Sequence, residues 1–294
     1  MNLAVASGKG GTGKTTVAAS LARVWSEPVI AVDLDVEEPN LRFFLRPSIA
    51  GSERAGLEAP LVDESRCDAC GACAELCQFK AITLLGKLPL IFTEMCHGCG
   101  GCLAVCPRQA LSPSLRELGE VSWGRAGQAG FLMGRLRVGE AMSPPLMRAV
   151  QARLRLMLDR AAADVIVDAP PGVSCPAISA VLGSDAILLV TEPTPFGLCD
   201  LRLAHQAFTP LGKPLGVVIN RVGLGDERVR EFCLRAKLPV LAELPFQREA
   251  AEAYARGQVL AEASPAWRGM FVDLADKAQA LARPATPGLE AAHA

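Results

Sequence analysis

"ASGKGGTGKTT", residues 6–16, is the stretch on which the fold turns. Gly8 to Thr15 fits G-x-x-x-x-G-K-[ST] without a mismatch. Glycines at these positions let successive backbone N–H groups point inward at phosphate oxygens. Lys14 then reaches the β- and γ-phosphates, and the Thr15 hydroxyl coordinates Mg²⁺. Gly8, Gly10, Gly11, Thr12, Gly13, Lys14, Thr15 and Thr16 are therefore the candidate nucleotide-binding residues. Gly8, Gly10 and Gly13 also fit G-x-G-x-x-G, with Asp33 twenty residues further on, which is the dinucleotide pattern. The Lys14-Thr15 pair has no role in that alternative. "VIVDAP", residues 165–170, supplies what a triphosphate site needs near its metal, an acid at the end of a buried strand. A nucleoside triphosphate is the expected ligand.

Outward from the loop, "NLAVA", "PVIAVDLD", "DVIVDAP", "DAILLVTEP", "PLGVVIN" and "LPVLAELP" read as strands. Helices are expected from the loop to about Trp25, from "SPPLMRAVQARLRLMLDRA", from Phe196, from Asp226, and from Gln247 to about Leu281. Continuous apolar strands alternating with helices predict an α/β fold, a mostly parallel sheet covered on both faces. From Leu61 to Ser112 cysteines and glycines replace the helical period, and residues 113–142 are Gly-rich, with one or two strands expected. The chain thus divides into a discontinuous nucleotide domain (1–60 and 113–282), an insert (61–112) and a tail. The tail, "RPATPGLEAAHA", has little to bury and is expected to be disordered.

The net charge of −1 over 294 residues argues against a general nucleic-acid or anionic-membrane binder. "MNLAVASGKGG" lacks the apolar stretch of a signal peptide, and no run reaches the ~18 apolar residues of a membrane span. A cytoplasmic location without membrane insertion is expected. In that compartment thiols stay reduced, so the eleven cysteines are not read as disulfides. Eight of them lie between Cys67 and Cys106, which points to metal.

"KGGTGKT" resembles the K-G-G-x-G-K-[ST] loop of the ParA/MinD/Mrp branch of P-loop ATPases, which includes the nitrogenase iron protein. The resemblance implies ATP and Mg²⁺ as ligands, and that Lys9 reaches across a two-fold dimer to the partner's nucleotide. The dimer would form with a second copy or a related ATPase. Asp35 in "VDLD" would orient the attacking water, and Asp168 in "DAPPG" would hold Mg²⁺ through water. Gly172 would lie where the γ-phosphate is sensed, Asn220 in "VVINRV" would read the adenine edge, and Pro245 would flank the base. Asp33 stays open between a role beside the metal and a solvated turn or cap. The likeness covers most of residues 1–60 and 140–260.

Cys67-x₂-Cys70-x₂-Cys73-x₃-Cys77 is followed by Cys96-x₂-Cys99-x₂-Cys102-x₃-Cys106-Pro107. Two such runs are the bacterial two-cluster ferredoxin pattern, in which each fourth cysteine serves the other cluster. The segment resembles a small bacterial 2[4Fe–4S] ferredoxin throughout. That implies Cys67, Cys70, Cys73 and Cys106 around one cluster, and Cys96, Cys99, Cys102 and Cys77 around the second. Gln78 stands where proline usually follows the first run and is expected to loosen that turn. His97 is read as a solvent-facing loop residue. Two zinc ions in a cross-braced module are the alternative, although zinc does not need third and fourth cysteines at these intervals. The insert follows the loop that the resemblance makes switch I, and nucleotide state is expected to reposition it.

Cys175 lies seven residues after Asp168, near where the nitrogenase iron protein carries a cluster ligand. No second cysteine occurs between it and Cys106, so a small buried residue at a helix start is expected. Cys199 and Cys233 are expected in the core. The arginines of "RAVQARLRLMLDR" read as a solvated helix face. Together these point to ATP-gated electron transfer to a redox partner. A cofactor-assembly carrier of Mrp type is the alternative. A MinD- or ParA-type positioning ATPase ranks below both, since the tail cannot form a basic amphipathic helix.

Overall fold

The computed structural model describes residues 1–283, so all but the first residue of the expected disordered tail lies outside the described residues. β1 (Asn2–Ala6) enters the phosphate loop, and α1 (Lys14–Val24) leaves it. β2 (Val29–Asp33), α2 (Leu41–Leu45) and β3 (Ser48–Val62) follow. The cysteine-rich segment contains α3 (Ala72–Leu76), β4 (Ile82–Leu85), β5 (Leu88–Ile91) and α4 (Gly101–Val105). β6 (Leu111–Ala126), β7 (Ala129–Leu136), α5 (Ser143–Arg160) and β8 (Asp164–Asp168) return the chain to the sheet. Alternation then continues through α6 (Cys175–Val181), β9 (Ala186–Thr191), α7 (Pro195–Phe208) and β10 (Leu215–Val222). It ends with α8 (Arg228–Arg235), β11 (Val240–Pro245), α9 (Arg248–Ala255) and α10 (Pro265–Ala282). None of these helices is long and apolar enough to cross a membrane.

Nine strands form one sheet in the order β11-β10-β9-β1-β8-β2-β7-β6-β3. Pairing is parallel from β11 to β7 and antiparallel from β7 to β3. The central strands are apolar on both faces because each feeds a separate core. Leu3, Val5, Ala31 and Ile166 pack under α1 and α10. Ala4, Ala6, Val32 and Val167 pack on the other side with Leu146 and Met147 of α5 and Leu201 of α7. Alternation with period two places successive residues of one strand in different cores.

The antiparallel edge departs from the sequence reading. Residues 48–60 gave no strand signal, yet β3 and β6 pair from Ser48↔Arg125 out to Val62↔Leu111. β7 covers β6 only as far as Gly119↔Leu136, so beyond that point two strands continue alone. The departure coincides with a register shift between Ala55 and Gly56. Such a bulge bends and twists a strand. The ribbon then runs on for roughly 20 Å at ~3.3 Å per residue.

The cysteine segment is mounted on this ribbon. Asp63 N–H donates to the Ala110 carbonyl at 2.7 Å, closing the ribbon's end. The segment folds back along one ribbon face, where Ala59 packs with Ala81 and Cys96. It does not follow the loop after β2 directly, because α2 and β3 intervene. After the second run the chain passes at Leu111 into the 16-residue β6.

Because Val62 and Leu111 already face each other, the whole segment 63–110 is replaceable by a two-residue Asn-Gly turn. The shortened chain is expected to unfold in one cooperative transition, with a melting temperature within about 5 °C of the parent. Circular dichroism would check this, and a broad or absent transition would show that the sheet needs the insert.

Candidate nucleotide site and thiol pockets

The phosphate loop leaves β1 at Ala6 and turns into α1 through Gly13, whose φ of 94° is left-handed. A Cβ at Gly13 would lie 2.3 Å from the Asn220 amide nitrogen, so glycine is required by space as well as by dihedral. A cleft of about 600 Å³ opens above the loop. It collects Gly10, Gly11, Gly13, Lys14, Thr15 and Thr16 with Asp35, Asn220 and Pro245, and Phe246, Gln247 and Tyr254 complete one wall. Gly8 packs against Asp200 of α7, and the Gly172 N–H donates to the Ser7 carbonyl at 2.9 Å.

Three carboxylates converge on one ammonium. Lys14 Nζ donates to Asp168 Oδ1 at 2.9 Å and lies 3.8 Å from Asp35 Oδ2. Strand register sets Asp33 of β2 directly beside Asp168 of β8, and both are fully buried. Burial weighs against the Lys14 ammonium, but Asp168, Asp35 and Asp33 outweigh it and hold its pKa above the ordinary lysine value. Burial, reinforced by Asp168, pushes Asp33 well above the usual carboxylate range. Asp33 accepts from Asp35 N–H at 3.1 Å and Leu41 N–H at 2.9 Å. It pins the loop 34–41, which settles its open role toward holding backbone. Asp168 Oδ2 is buried with no hydrogen-bond partner. An acceptor left so in a phosphate site fits a Mg²⁺-bound water, and Thr15 lines the same cleft.

Lys9 turns away from the cleft within this chain. Its Nζ lies 2.7 Å from Glu192 Oε1 and 3.9 Å from Asp200 Oδ2, and Arg221 Nη1 donates to Glu192 at 2.8 Å. Burial opposes the Glu192 carboxylate, but these two cations still draw its pKa below the usual value. Glu192 escaped the sequence reading, although its place at the end of an apolar strand was a signal. Asn220 Nδ2 donates to the Thr12 carbonyl at 2.8 Å, so this amide also braces the phosphate loop.

The eight clustered cysteines sort into two pockets. Cys67, Cys70, Cys73 and Cys106 line one, and Cys77, Cys96, Cys99 and Cys102 line the other. Each fourth cysteine has crossed to the opposite run. The two runs also match in backbone. Gly71 and Gly100 are left-handed at the starts of α3 and α4, and Cys77 (φ −67°, ψ 100°) matches Cys106 (φ −69°, ψ 108°) at their ends. Gln78 therefore does not loosen its turn. Ala81 N–H points at Cys77 Sγ at 3.3 Å, and Ala110 N–H at Cys106 Sγ at 3.2 Å. Burial, with neighbouring thiolates, pushes the Cys73 and Cys102 thiols up. Among the described residues no three His, Cys, Asp or Glu converge where a single ion would sit. Four thiols line each pocket, one for each iron a cubane would bring.

Smaller expectations meet mixed outcomes. His97 is exposed in its loop as expected, and it also stacks on Phe79, with ring centroids 3.7 Å apart. Cys175 and Cys199 are exposed, and only Cys233 is buried, its thiol pushed up to about 11 by burial. Cys199 falls beside the Leu198–Leu201–Ala204 stripe of α7, not on it. Arg153 of α5 is not merely solvated, since it lies 3.7 Å over the Trp123 ring and pairs with Glu53.

Burial first, then the Asp168 charge, raises Asp35 to about 6 against the pull of Lys14. Between 3.8 and that value the folded chain holds more protons at Asp35 than the unfolded chain does. Stability from this group is present at low pH and lost as pH rises through the window. Relative to Asp35→Asn, the nucleotide-free protein should lose about 1–2 kcal/mol between roughly pH 4 and pH 7. Urea unfolding of both proteins at the two pH values checks the sign.

The model of the CobQ/CobB/MinD/ParA nucleotide-binding domain matches residues 3–260. The uncharacterized protein MJ0578 of Methanocaldococcus jannaschii is 33% identical over 228 residues, 77% of this chain and 80% of that one. Among solved structures, the Pyrococcus horikoshii septum site-determining protein MinD, complexed with Mg-ADP, superposes with a TM-score of 0.59. It is 19% identical, with 96% of each chain covered. The cell division ATPase MinD of Pyrococcus furiosus gives 0.58 at 21% identity, over 95% of this chain and 98% of that one. The phosphate loop, the acids at the strand ends and the family match agree: the chain belongs to the CobQ/CobB/MinD/ParA family of P-loop nucleotide-binding proteins.

Proposed function

We propose that the chain is an ATP-hydrolysing iron–sulfur protein in which nucleotide state governs electron transfer from a 2[4Fe–4S] module to a partner protein. The observation that carries this reading is the sorting of eight thiols into two pockets of four with the fourth cysteines exchanged. The ATPase domain is assigned to 1–60 and 113–282, and the module to 61–112. Cys67, Cys70, Cys73 and Cys106 would hold one cluster, and Cys96, Cys99, Cys102 and Cys77 the other. Bound there, the clusters supply single-electron carriers. The Ala81 and Ala110 N–H groups aimed at the Cys77 and Cys106 sulfurs would tune the potential of clusters held there.

In the cleft, the backbone N–H groups of residues 10–13 cradle phosphate and Lys14 exchanges Asp168 for the β- and γ-phosphates. Thr15 and, through water, Asp168 would hold Mg²⁺, an ion that accompanies ADP in the Pyrococcus horikoshii neighbour. Asp35 orients the water whose oxygen bonds to the γ-phosphorus as the bond to the β-bridging oxygen breaks, leaving ADP and phosphate. Asn220 and Pro245 take the base, and Gly172 lies at the γ-phosphate sensor. Lys9 would leave Glu192 to reach the nucleotide of a second, related subunit. Full cysteine ligation within a chain favours retention of the clusters over delivery, which sets this reading above an assembly carrier. A cytoplasmic setting suits reduced thiols.

Protein purified without oxygen is expected to carry about eight irons per chain, and Cys99→Ser about four. Spin resonance of the reduced protein should differ between ADP and a non-hydrolysable ATP analogue. Zinc in place of iron, or spectra indifferent to nucleotide, would overturn the reading.

A further inference from the structure

We infer that a polar strut running Glu37–Ser143–Glu140–Arg116–Thr93 transmits the position of the nucleotide-side loop to the second thiol pocket, with Ser143 and Arg116 as its positioning residues. This rests on the proposed function, and it names the route by which nucleotide state would reach the module.

Every link but Ser143–Glu140, which runs along the backbone of residues 140–143, is a direct contact. Glu37 lies two residues beyond Asp35, in the loop that Asp33 pins. Its carboxylate accepts from the hydroxyl of Ser143, the buried first residue of α5. Just before α5, Glu140 Oε1 accepts the N–H groups of Ala141 and Met142, each at 3.0 Å. Arg116 Nη2 lies 2.8 Å from both oxygens of the same carboxylate. Through Nη1, Arg116 donates to the Thr93 carbonyl. That carbonyl also accepts from Cys96 N–H at 3.1 Å, so the last link ends on a thiol-bearing residue of the second pocket. A backbone contact braces the same corner, since Leu136 N–H donates to the Val36 carbonyl at 2.9 Å.

The energetics favour a geometric role. The Arg116 and Glu140 side chains are 7% and 5% exposed. Among the described residues, only Lys14–Asp168 is another ion pair with both side chains below a tenth exposed. Burying an ion pair costs desolvation that an apolar pair of equal volume avoids, and Arg116 Nε is moreover left without a partner. Directional contacts at fixed lengths are what such a pair offers that an apolar contact lacks. A displacement of Glu37 then moves the mouth of α5, and with it the Glu140–Arg116 fork that grips Thr93.

The test is hydrogen–deuterium exchange on the full-length, cluster-loaded protein, comparing ADP with a non-hydrolysable ATP analogue, both with Mg²⁺. In the parent protein, amides of residues 93–99 should differ severalfold in exchange rate between the two nucleotides. Ser143→Ala and Arg116→Met should each abolish that difference, while iron content and nucleotide affinity stay near the parent's; Arg116→Met alone should also lower the melting temperature, because it leaves Glu140 buried without its partner. A merely structural role would move iron content or nucleotide affinity and leave the nucleotide difference in place. Persistence of the difference in both variants overturns the strut alone. No difference in the parent overturns the strut and the gating reading together, and loss of nucleotide affinity in Ser143→Ala also counts against the strut. Should Arg116→Met fail to fold, Ser143→Ala decides by itself.

Discussion

One ammonium among three carboxylates governs the nucleotide site. Lys14 is buried and its nearest partner is Asp168, which strand register places beside Asp33. Two carboxylates at adjacent strand ends repel each other, and burial raises the cost of every charge there. Burial first, then repulsion that Lys14 relieves only in part, holds Asp33 and Asp35 above their ordinary pKa values. Such a site is poised for a ligand that brings its own cation. Under the proposed function, triphosphate and Mg²⁺ arrive together. Phosphate would take Lys14, a Mg²⁺-bound water would find the free Asp168 oxygen, and the loop pinned by Asp33 would feel the exchange first.

The parallel sheet was legible because its signals are local. A strand buried on both faces reads as an unbroken apolar run, and the phosphate loop reads as spaced glycines before Lys14-Thr15. The acids at the strand ends were legible for the same reason, since Asp33 and Asp168 each close an apolar run. What each acid touches was not. That Asp33 holds backbone N–H groups while Asp168 holds Lys14 depends on the tilt of a loop, which no spacing encodes.

The edge of the sheet was illegible because its pairing is remote. β3 meets β6 across the whole cysteine segment, and only Ala55, Leu57, Ala59 and Pro60 of β3 are buried. Half of an exposed two-stranded ribbon carries little hydrophobic pattern, so the period-two signal fades where the ribbon leaves the sheet. Composition marked where the thiols begin, but not how they are mounted. Arg116 and Glu140 left no sequence signal either. They lie 24 residues apart, and their burial follows from the way the module folds back.

The mounting has a mechanical consequence. The cysteine segment buries almost nothing of its own, its apolar cluster being Ala59, Ala81 and Cys96. A unit this small does not stay folded by the hydrophobic effect alone, and bound metal would supply most of its folding energy. Under the proposed function, a metal-braced module would move as one body, and nucleotide state would act on it through its attachments. It has two kinds of attachment to the sheet. The ribbon is covalent and hydrogen-bonded along its length, and it cannot slip register without turning its buried face to water. The polar contacts from Glu37 to Thr93 are made by side chains, whose geometry can follow a shift of the loop without unpairing the buried Arg116–Glu140 pair. Of the two, only the second can follow a loop that moves with a phosphate.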